Sequence, residues 1–216
     1  MKEPDVVTAL DLLFPVRCPG CDALGRPWCE ACDAEVEPFA VPAPPGIARA
    51  AAAADYASGA GRALRRAKYG RDRRAMVRLA ARFALAGAPF AAGHEAIVPV
   101  PSPWTRVGWR GFAAASLLAR ALGAAAGVPV VDALRLAPGG RQAGLGAGGR
   151  ARNLAGRLRS VRAVPGRVLV VDDVLTTGTT AAAAARELLG AASDRVELLV
   201  LCATERDGGA TEPNPA

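Results

Sequence analysis

The chain has 216 residues, 27 basic and 20 acidic side chains, a net charge of +7 and a hydrophobic content of 51%, which is enough for a self-sufficient globular protein of one or two domains. No apolar run reaches the roughly 18 to 20 residues of a membrane span, and Met1 to Pro15 has mixed charges and no long apolar core of the secretory kind, so the reading is a cytoplasmic protein. Charge is unevenly spread: residues 1–40 hold 8 acids and 3 bases, which leaves 24 bases and 12 acids for the remainder. An acidic N-terminal module therefore precedes a basic body that should attract phosphates, nucleotides or nucleic acid.

Val6 to Phe14 carries apolar residues at helical spacing and predicts a short helix. It leads into Cys18-Pro-Gly-Cys21 and Cys29-Glu-Ala-Cys32, two C-x2-C knuckles seven residues apart. Four thiolates at this spacing suit Zn²⁺ in a small ribbon, with each sulfur about 2.3 Å from the metal. Disulfides are the alternative, but a reducing compartment disfavours them. A redox pair would want a βαβ context that is missing here. With all four positions filled by cysteine the metal would be structural, its binding coupled to folding of the segment.

Residues 38–49 are rich in proline and read as a linker. Beyond it Ala50 to Tyr56 predicts a strand, and Ala60 to Ala67 and Arg73 to Leu85 predict helices separated by Lys68-Tyr69-Gly70. From Arg62 to Arg82 nine bases face only Asp72, which fits either solvated amphipathic faces or a surface for phosphate or DNA. Glu95 to Pro101 predicts a short strand ended by prolines, its carboxyl end facing the pocket. Trp104, Arg106, Trp109 and Arg110 follow, and then a helix from Ala113 to Ala126. The tryptophans are placed to stack a base or single-stranded DNA, or to pack as core or lid. Val128 to Leu136 gives a further strand. Residues 138–165, rich in arginine and glycine and without an acid, read as a flexible basic loop. Within it Gly144-Leu-Gly-Ala-Gly-Gly149 has the form G-x-G-x-x-G, but no strand leads directly into it and a dinucleotide site is rejected. Arg195 to Thr204 closes the sheet with Cys202 as a small core residue, and residues 205–216 form a polar tail expected to be disordered.

The remaining stretch organises the others. Val168 to Val171 reads as a strand buried on both faces of a parallel sheet. Asp172 and Asp173 stand at its end, a loop of Gly178 flanked by threonines follows, and Ala181 to Leu189 supplies a helix. Ligands of open α/β sheets sit outside the carboxyl ends of strands. There the loop can wrap N–H groups and hydroxyls around a phosphate at the positive end of the helix. Adjacent carboxylates suit vicinal hydroxyls and can help to hold Mg²⁺. The ligand implied is a sugar phosphate.

Val168 to Thr180 resembles the motif of type I phosphoribosyltransferases that binds PRPP (5-phosphoribosyl 1-diphosphate). Lys68-Tyr69-Gly70, Pro99-Val100-Pro101, Arg106, Arg110-Gly-Phe112, Gln142, Leu145, Arg150, Arg152, Asn153 and Leu154 are similar to the ComF/GntX-like (ComFC) branch, and the likeness covers most of residues 14–204. It implies an N-terminal helix and zinc ribbon over 1–40, a linker and basic helical hood over 41–92, a phosphoribosyltransferase core of mostly parallel sheet flanked by helices over 93–204, and a tail over 205–216. By this resemblance Asp172 and Asp173 take the ribose hydroxyls with Mg²⁺, and Thr176, Thr177, Gly178, Thr179 and Thr180 take the 5′-phosphate. Val100, Pro101 and Ser102 take the pyrophosphate, with Lys68, Arg106 and Arg110 as charge partners, and a mobile loop with Gln142, Arg150, Arg152 and Asn153 closes over the ligand. Where the branch usually has Asn-Gln this chain has Ala113-Ala114, and where it has Thr this chain has Ala143. Thr176 replaces the base-contacting Asp of purine-salvage members, which weighs against a 6-oxopurine acceptor. The implied function is transfer of a phosphoribosyl group to an unidentified acceptor, linked to DNA uptake or nucleotide metabolism. The alternative, from another class, is a competence factor that binds single-stranded DNA and DNA-uptake proteins, its PRPP site regulatory or vestigial.

Overall fold

The structure is a computed structural model that describes residues 16–138 and 155–204. Five strands form the central sheet in the order β1-β2-β7-β6-β3. These are β1 (Phe39–Ala40), β2 (Ala50–Asp55), β3 (Ala96–Pro99), β6 (Gly166–Leu175) and β7 (Ser193–Ala203). β1 runs antiparallel to β2, and every other pairing is parallel. A separate antiparallel pair, β4 (Leu134–Leu136) and β5 (Leu158–Ser160), packs beside it. The helices are α1 (Glu30–Ala34), α2 (Gly59–Gly70), α3 (Arg73–Ala91), α4 (Trp104–Arg110), α5 (Ala114–Ala126) and α6 (Thr179–Leu189).

Because successive strand residues point to opposite faces, the apolar run of β6 feeds two cores. Leu169 and Val171 join Leu64, Met76, Leu79, Phe83, Leu118 and Leu122 of α2, α3 and α5 on one face. Val168 and Val170 join Ala184, Ala185 and Leu188 of α6, together with Leu134 and Leu158 of the hairpin, on the other. Burial on both sides explains why β6 reads as a continuous apolar run rather than an alternating one. β2 is a strand made of alanines, with Ala52 and Ala53 fully buried. Alanine has low intrinsic preference for strands, so its place is decided by packing between close neighbours on both faces.

Local signals start the helices where capping chemistry predicts. Ser58 Oγ accepts from Gly61 N at 3.3 Å to start α2, and Asp72 Oδ1 accepts from Ala75 N at 2.9 Å to start α3. Lys68-Tyr69-Gly70 lies inside α2; the break falls one residue later, at Arg71, which takes the left-handed conformation (φ 58°). α4 was not expected from the sequence, and its N-cap, Pro103, makes no side-chain capping bond that could have signalled it. Over 128–136 the expected strand is shorter. Only Val130 bridges to Ile97, and the strand proper is β4. Likewise β5 lies within the span expected as a loop, and just before it Arg157 O accepts from Ala137 N at 2.8 Å. The expected helix at Val6 to Phe14, the G-x-G-x-x-G segment and the tail lie outside the described residues. Among the described residues no helix is long and apolar enough to cross a membrane.

At the amino-terminal edge of the sheet, the fully buried Glu197 is held by three arginines. Arg49 and Arg195 approach its carboxylate at 2.8 Å and Arg167 at 3.2 Å. The arginines hold the carboxyl below its usual range against the opposing effect of burial. This network ties together the starts of β2, β6 and β7 at the end of the sheet remote from the acidic pair.

Candidate functional site

At the opposite end, β6 runs past the acids to Leu175, paired with β7 as far as Leu175↔Ala203. The two acids are therefore inside a strand rather than after it, and their side chains diverge. Asp172 lines a small cavity of about 30 Å³ with Leu175, Thr176, Thr177, Gly178, Thr179 and Thr180. Asp173 instead meets Lys68 Nζ of α2 at 2.7 Å, and both side chains are largely buried, with 13% of Lys68 and 18% of Asp173 exposed. A cavity this small has room for only a few atoms.

The threonine loop is shaped by Gly178, whose φ of 72° is left-handed. An added Cβ there would lie 2.8 Å from Pro44 Cγ, so glycine serves both the turn and the close approach of the preceding proline-rich segment. Gly178 caps α6 with no side-chain hydrogen bond. The first-turn N–H groups of a helix have no partner within it; here Thr179 N donates to Thr177 Oγ1 at 3.5 Å, and Thr179, Thr180 and Ala181 at the positive end of the helix dipole line the cavity. Thr177 and Thr179 hydroxyls are 2.8 Å apart. The ensemble is a cradle of donors.

Val100, Pro101 and Ser102 follow β3 directly. Val100 N donates to Val171 O at 2.9 Å, one residue before Asp172, so this loop stands beside the acids at the carboxyl edge. Arg106 is exposed on α4, and Arg110 is half-buried with its guanidinium 6.0 Å from the Tyr69 ring. Gln142, Arg150, Arg152 and Asn153 lie outside the described residues. The hairpin β4–β5 brackets the segment that contains them. Of the expected site residues, the structure thus brings Asp172, the threonine loop and the Val100 loop to one edge, with Asp173 and Lys68 paired across the strand. Nothing local in the sequence signalled that Lys68 has a carboxylate partner 105 positions away, or that Pro44 closes over Gly178.

The Asp172 carboxyl is pushed up to about 7, by burial first and by the Asp173 charge second, against its bond with Asp173 N–H and its attraction to Lys68. The folded value lies above the unfolded one of roughly 3.9. As pH rises from about 4 to about 7 the unfolded chain releases this proton and the folded chain keeps it, so the ligand-free protein loses stability across that window and levels off above it. Melting temperatures at pH 4, 5.5, 7 and 8 for wild type and Asp172→Asn check this: the difference between the two proteins should move in favour of the variant as pH rises. A pH-independent difference would overturn it.

A second cluster lies at the N-terminal end. The Sγ atoms of Cys18, Cys21, Cys29 and Cys32 all lie within 4.8 Å of one another, close to the roughly 3.8 Å separation that tetrahedral Zn–S bonds of about 2.3 Å require. A turn brings Cys18 and Cys21 together, with Asp22 N donating to Cys18 O at 2.8 Å and an antiparallel bridge between Arg17 and Leu24. Cys29 caps α1 and Cys32 lies within it. Burial opposes ionisation of Cys18, but backbone N–H groups of Cys29, Gly20 and Cys21 outweigh it and hold the thiol at about 7. Burial and the neighbouring sulfurs push Cys32 up. Four soft, crowded donors of this kind fit a metal such as Zn²⁺.

No protein-family model matches the chain, and no curated protein matches it significantly. Several solved structures do. One is an allosteric regulatory enzyme of purine biosynthesis, 18% identical over 58% of this chain and 26% of that one, with a TM-score of 0.42. The chain spans about a quarter of that protein's length. Another is a hypothetical protein from Neisseria gonorrhoeae with bound ppGpp, 16% identical over 66% and 74% of the two chains, TM-score 0.38. A third is the glutamic acid mutant from an analysis of an invariant aspartic acid in HPRTs, 19% identical over 65% and 73%, TM-score 0.38.

Proposed function

We propose that this chain is a ComF-like phosphoribosyltransferase that binds PRPP with Mg²⁺ at the carboxyl edge of the sheet and transfers its phosphoribosyl group to an acceptor nucleophile. The observation that carries the reading is the shared cavity of Asp172 and residues Thr176 to Thr180. The 5′-phosphate would sit in the threonine loop, where N–H groups, hydroxyls and the α6 dipole favour an anion. Asp172 would accept from a ribose hydroxyl. The loop of Val100 to Ser102 would lie against the pyrophosphate, with Arg106 and Arg110 balancing its charge. In the reaction the acceptor's lone pair forms a bond to ribose C1 as the C1–oxygen bond to pyrophosphate breaks, and the electron pair leaves with pyrophosphate. Asp172, with Asp173 once Lys68 yields it, would hold Mg²⁺, which when bound would neutralise the leaving group. Titrating PRPP and Mg²⁺ calorimetrically into the zinc-loaded protein tests the reading. One-to-one binding supports it; no heat and no binding by a folded protein would sink it.

A second reading, binding of single-stranded DNA, is favoured by one surface. Arg73, Arg74, Val77 and Arg78 line a shallow cavity of about 530 Å³. Trp104 is 83% exposed, and Arg71 lies 5.7 Å from the half-exposed Trp109 ring. Not every nearby arginine is free for a strand: Arg65 donates to Tyr56 O at 2.9 Å and Arg66 pairs with Asp22 at 2.9 Å. Changing Arg73, Arg74 and Arg78 to glutamine should therefore reduce the slope of log affinity against log salt for an oligothymidylate by about 2, near 0.7 per phosphate contact. An unchanged slope would remove this reading.

A further inference from the structure

α2 touches both clusters. Its first residue, Gly59, is pressed against the cysteines: an added Cβ would lie 2.5 Å from Cys32 Sγ, and one at Gly20 would lie 2.7 Å from the same sulfur and 2.9 Å from Gly59 O. Glu35 accepts a hydrogen bond from Gly59 N. Arg62 Nε donates to Gly20 O at 2.6 Å, in the knuckle between Cys18 and Cys21, and Arg66 pairs with Asp22. Residues 59, 62 and 66 share one helical face. Ala60, Ala63, Leu64 and Ala67 bury another face in the core. Nine residues beyond Gly59, a rise of about 14 Å, Lys68 holds Asp173.

We propose that Lys68 is a positioning residue for the acidic pair, and that α2 couples its place to metal in the cluster of Cys18, Cys21, Cys29 and Cys32. The inference rests on the reading of the Asp172 site as the ligand site. Without a metal, four crowded sulfurs have no common centre to draw them together. Cys32 Sγ then presses on two glycines that have no side chain to absorb the movement, Gly59 itself and Gly20, which packs against Gly59 O. Packed interiors transmit such displacements rather than dissipating them. A helix gripped at Gly59, Arg62 and Arg66 carries the shift to Lys68, and Lys68 decides how freely Asp173 meets a ligand. Coupling between two sites is reciprocal, so ligand at the acids must in turn tighten the metal.

The reciprocal direction gives the cleaner test because it starts from intact, zinc-loaded protein. Zinc transfer to the chromogenic chelator 4-(2-pyridylazo)resorcinol is followed in Mg²⁺ buffer with and without PRPP, beside calorimetric titration of the same preparation. In wild type PRPP should slow zinc transfer about tenfold, within the usual range of coupling. In Arg62→Ala and in Lys68→Met, each confirmed to hold one zinc and to melt cooperatively, the factor should fall below about 2, and Arg62→Lys should recover part of it. If calorimetry shows PRPP binding to wild type but zinc transfer is unchanged, the coupling is wrong and the ligand site stands. If the factor persists in Lys68→Met, the role of Lys68 is wrong. If PRPP does not bind at all, the ligand site itself fails and the proposal falls with it.

Discussion

Asp172→Asn combined with Asp173→Asn is expected to weaken PRPP binding more than 100-fold while zinc content stays at one per chain. Hydrogen bonds to charged groups contribute about 1.5 to 3 kcal/mol each, and tenfold in affinity is about 1.4 kcal/mol. With Asp172 drawn to its anionic form by bound Mg²⁺, losing both carboxylate acceptors should take the affinity down by two decades or more. The single variants should separate, because the strand sends the two side chains to different surroundings. Asp172 faces the cavity, and its carboxyl is already disfavoured as an anion. Asparagine there should lower affinity and leave the ligand-free protein at least as stable at pH 8. Asp173 is the counter-ion of Lys68, an ammonium with only 13% of its side chain exposed. Asparagine there strands that charge, and breaking a buried pair from one side costs several kcal/mol; a loss of about 2 kcal/mol is expected at this partly hydrated position. Calorimetry and thermal melts on both single variants and the double variant measure these outcomes. Wild-type affinity in the double variant would overturn the assignment of the site.

Stripping the metal from the cysteine cluster, or changing Cys29 or Cys32 to serine, is expected to have the largest effect on stability. Residues 16–36 bury little apolar surface of their own, chiefly around Cys18, Cys32 and Val36. A segment with so small a core depends on another source of stability. Structural zinc supplies about 10 to 16 kcal/mol of apparent binding free energy in small finger peptides at neutral pH. Here part of it would also hold α2, which meets the cysteine segment through Gly59, Arg62 and Arg66, and Arg82 of α3, which pairs with Asp33. A fall in melting temperature of roughly 10 °C or more is expected for a chain of this size, at about 2 to 4 °C per kcal/mol. Far-UV circular dichroism melts with metal analysis, before and after chelation, decide the matter. A stripped protein that melts at the same temperature would show that the cluster is dispensable.

The sequence by itself determined what short-range chemistry controls. The apolar run of Val168 to Val171, with β-branched residues bounded by a glycine, is a buried parallel strand because no other local structure suits it. Gly178 among threonines ahead of good helix formers is a turn into a helix N-terminus. Each C-x2-C knuckle brings its own two sulfurs together over three positions, Cys18 and Cys21 in a turn and Cys29 and Cys32 in the first turn of α1. Capping residues Ser58 and Asp72 start helices by hydrogen bonds three residues long. In each case the interacting groups are neighbours in the chain, so the pattern and the contact coincide.

Only the tertiary structure decided which charges face which. Lys68 and Asp173 are 105 positions apart, and no periodicity links them. Nine bases between Arg62 and Arg82 look alike in sequence, yet Arg62, Arg66 and Arg82 dock the cysteine module while Arg73, Arg74 and Arg78 line an open surface. Adjacent aspartates read as a pair, but a strand that continues through them turns one toward the cavity and the other toward a helix. Glu197 sits in an apolar strand with no sign of the three arginines that make its burial tolerable. The physical reason is the same throughout: the energy of a buried charge depends on partners brought in by chain topology, and local sequence has no hold on where those partners lie.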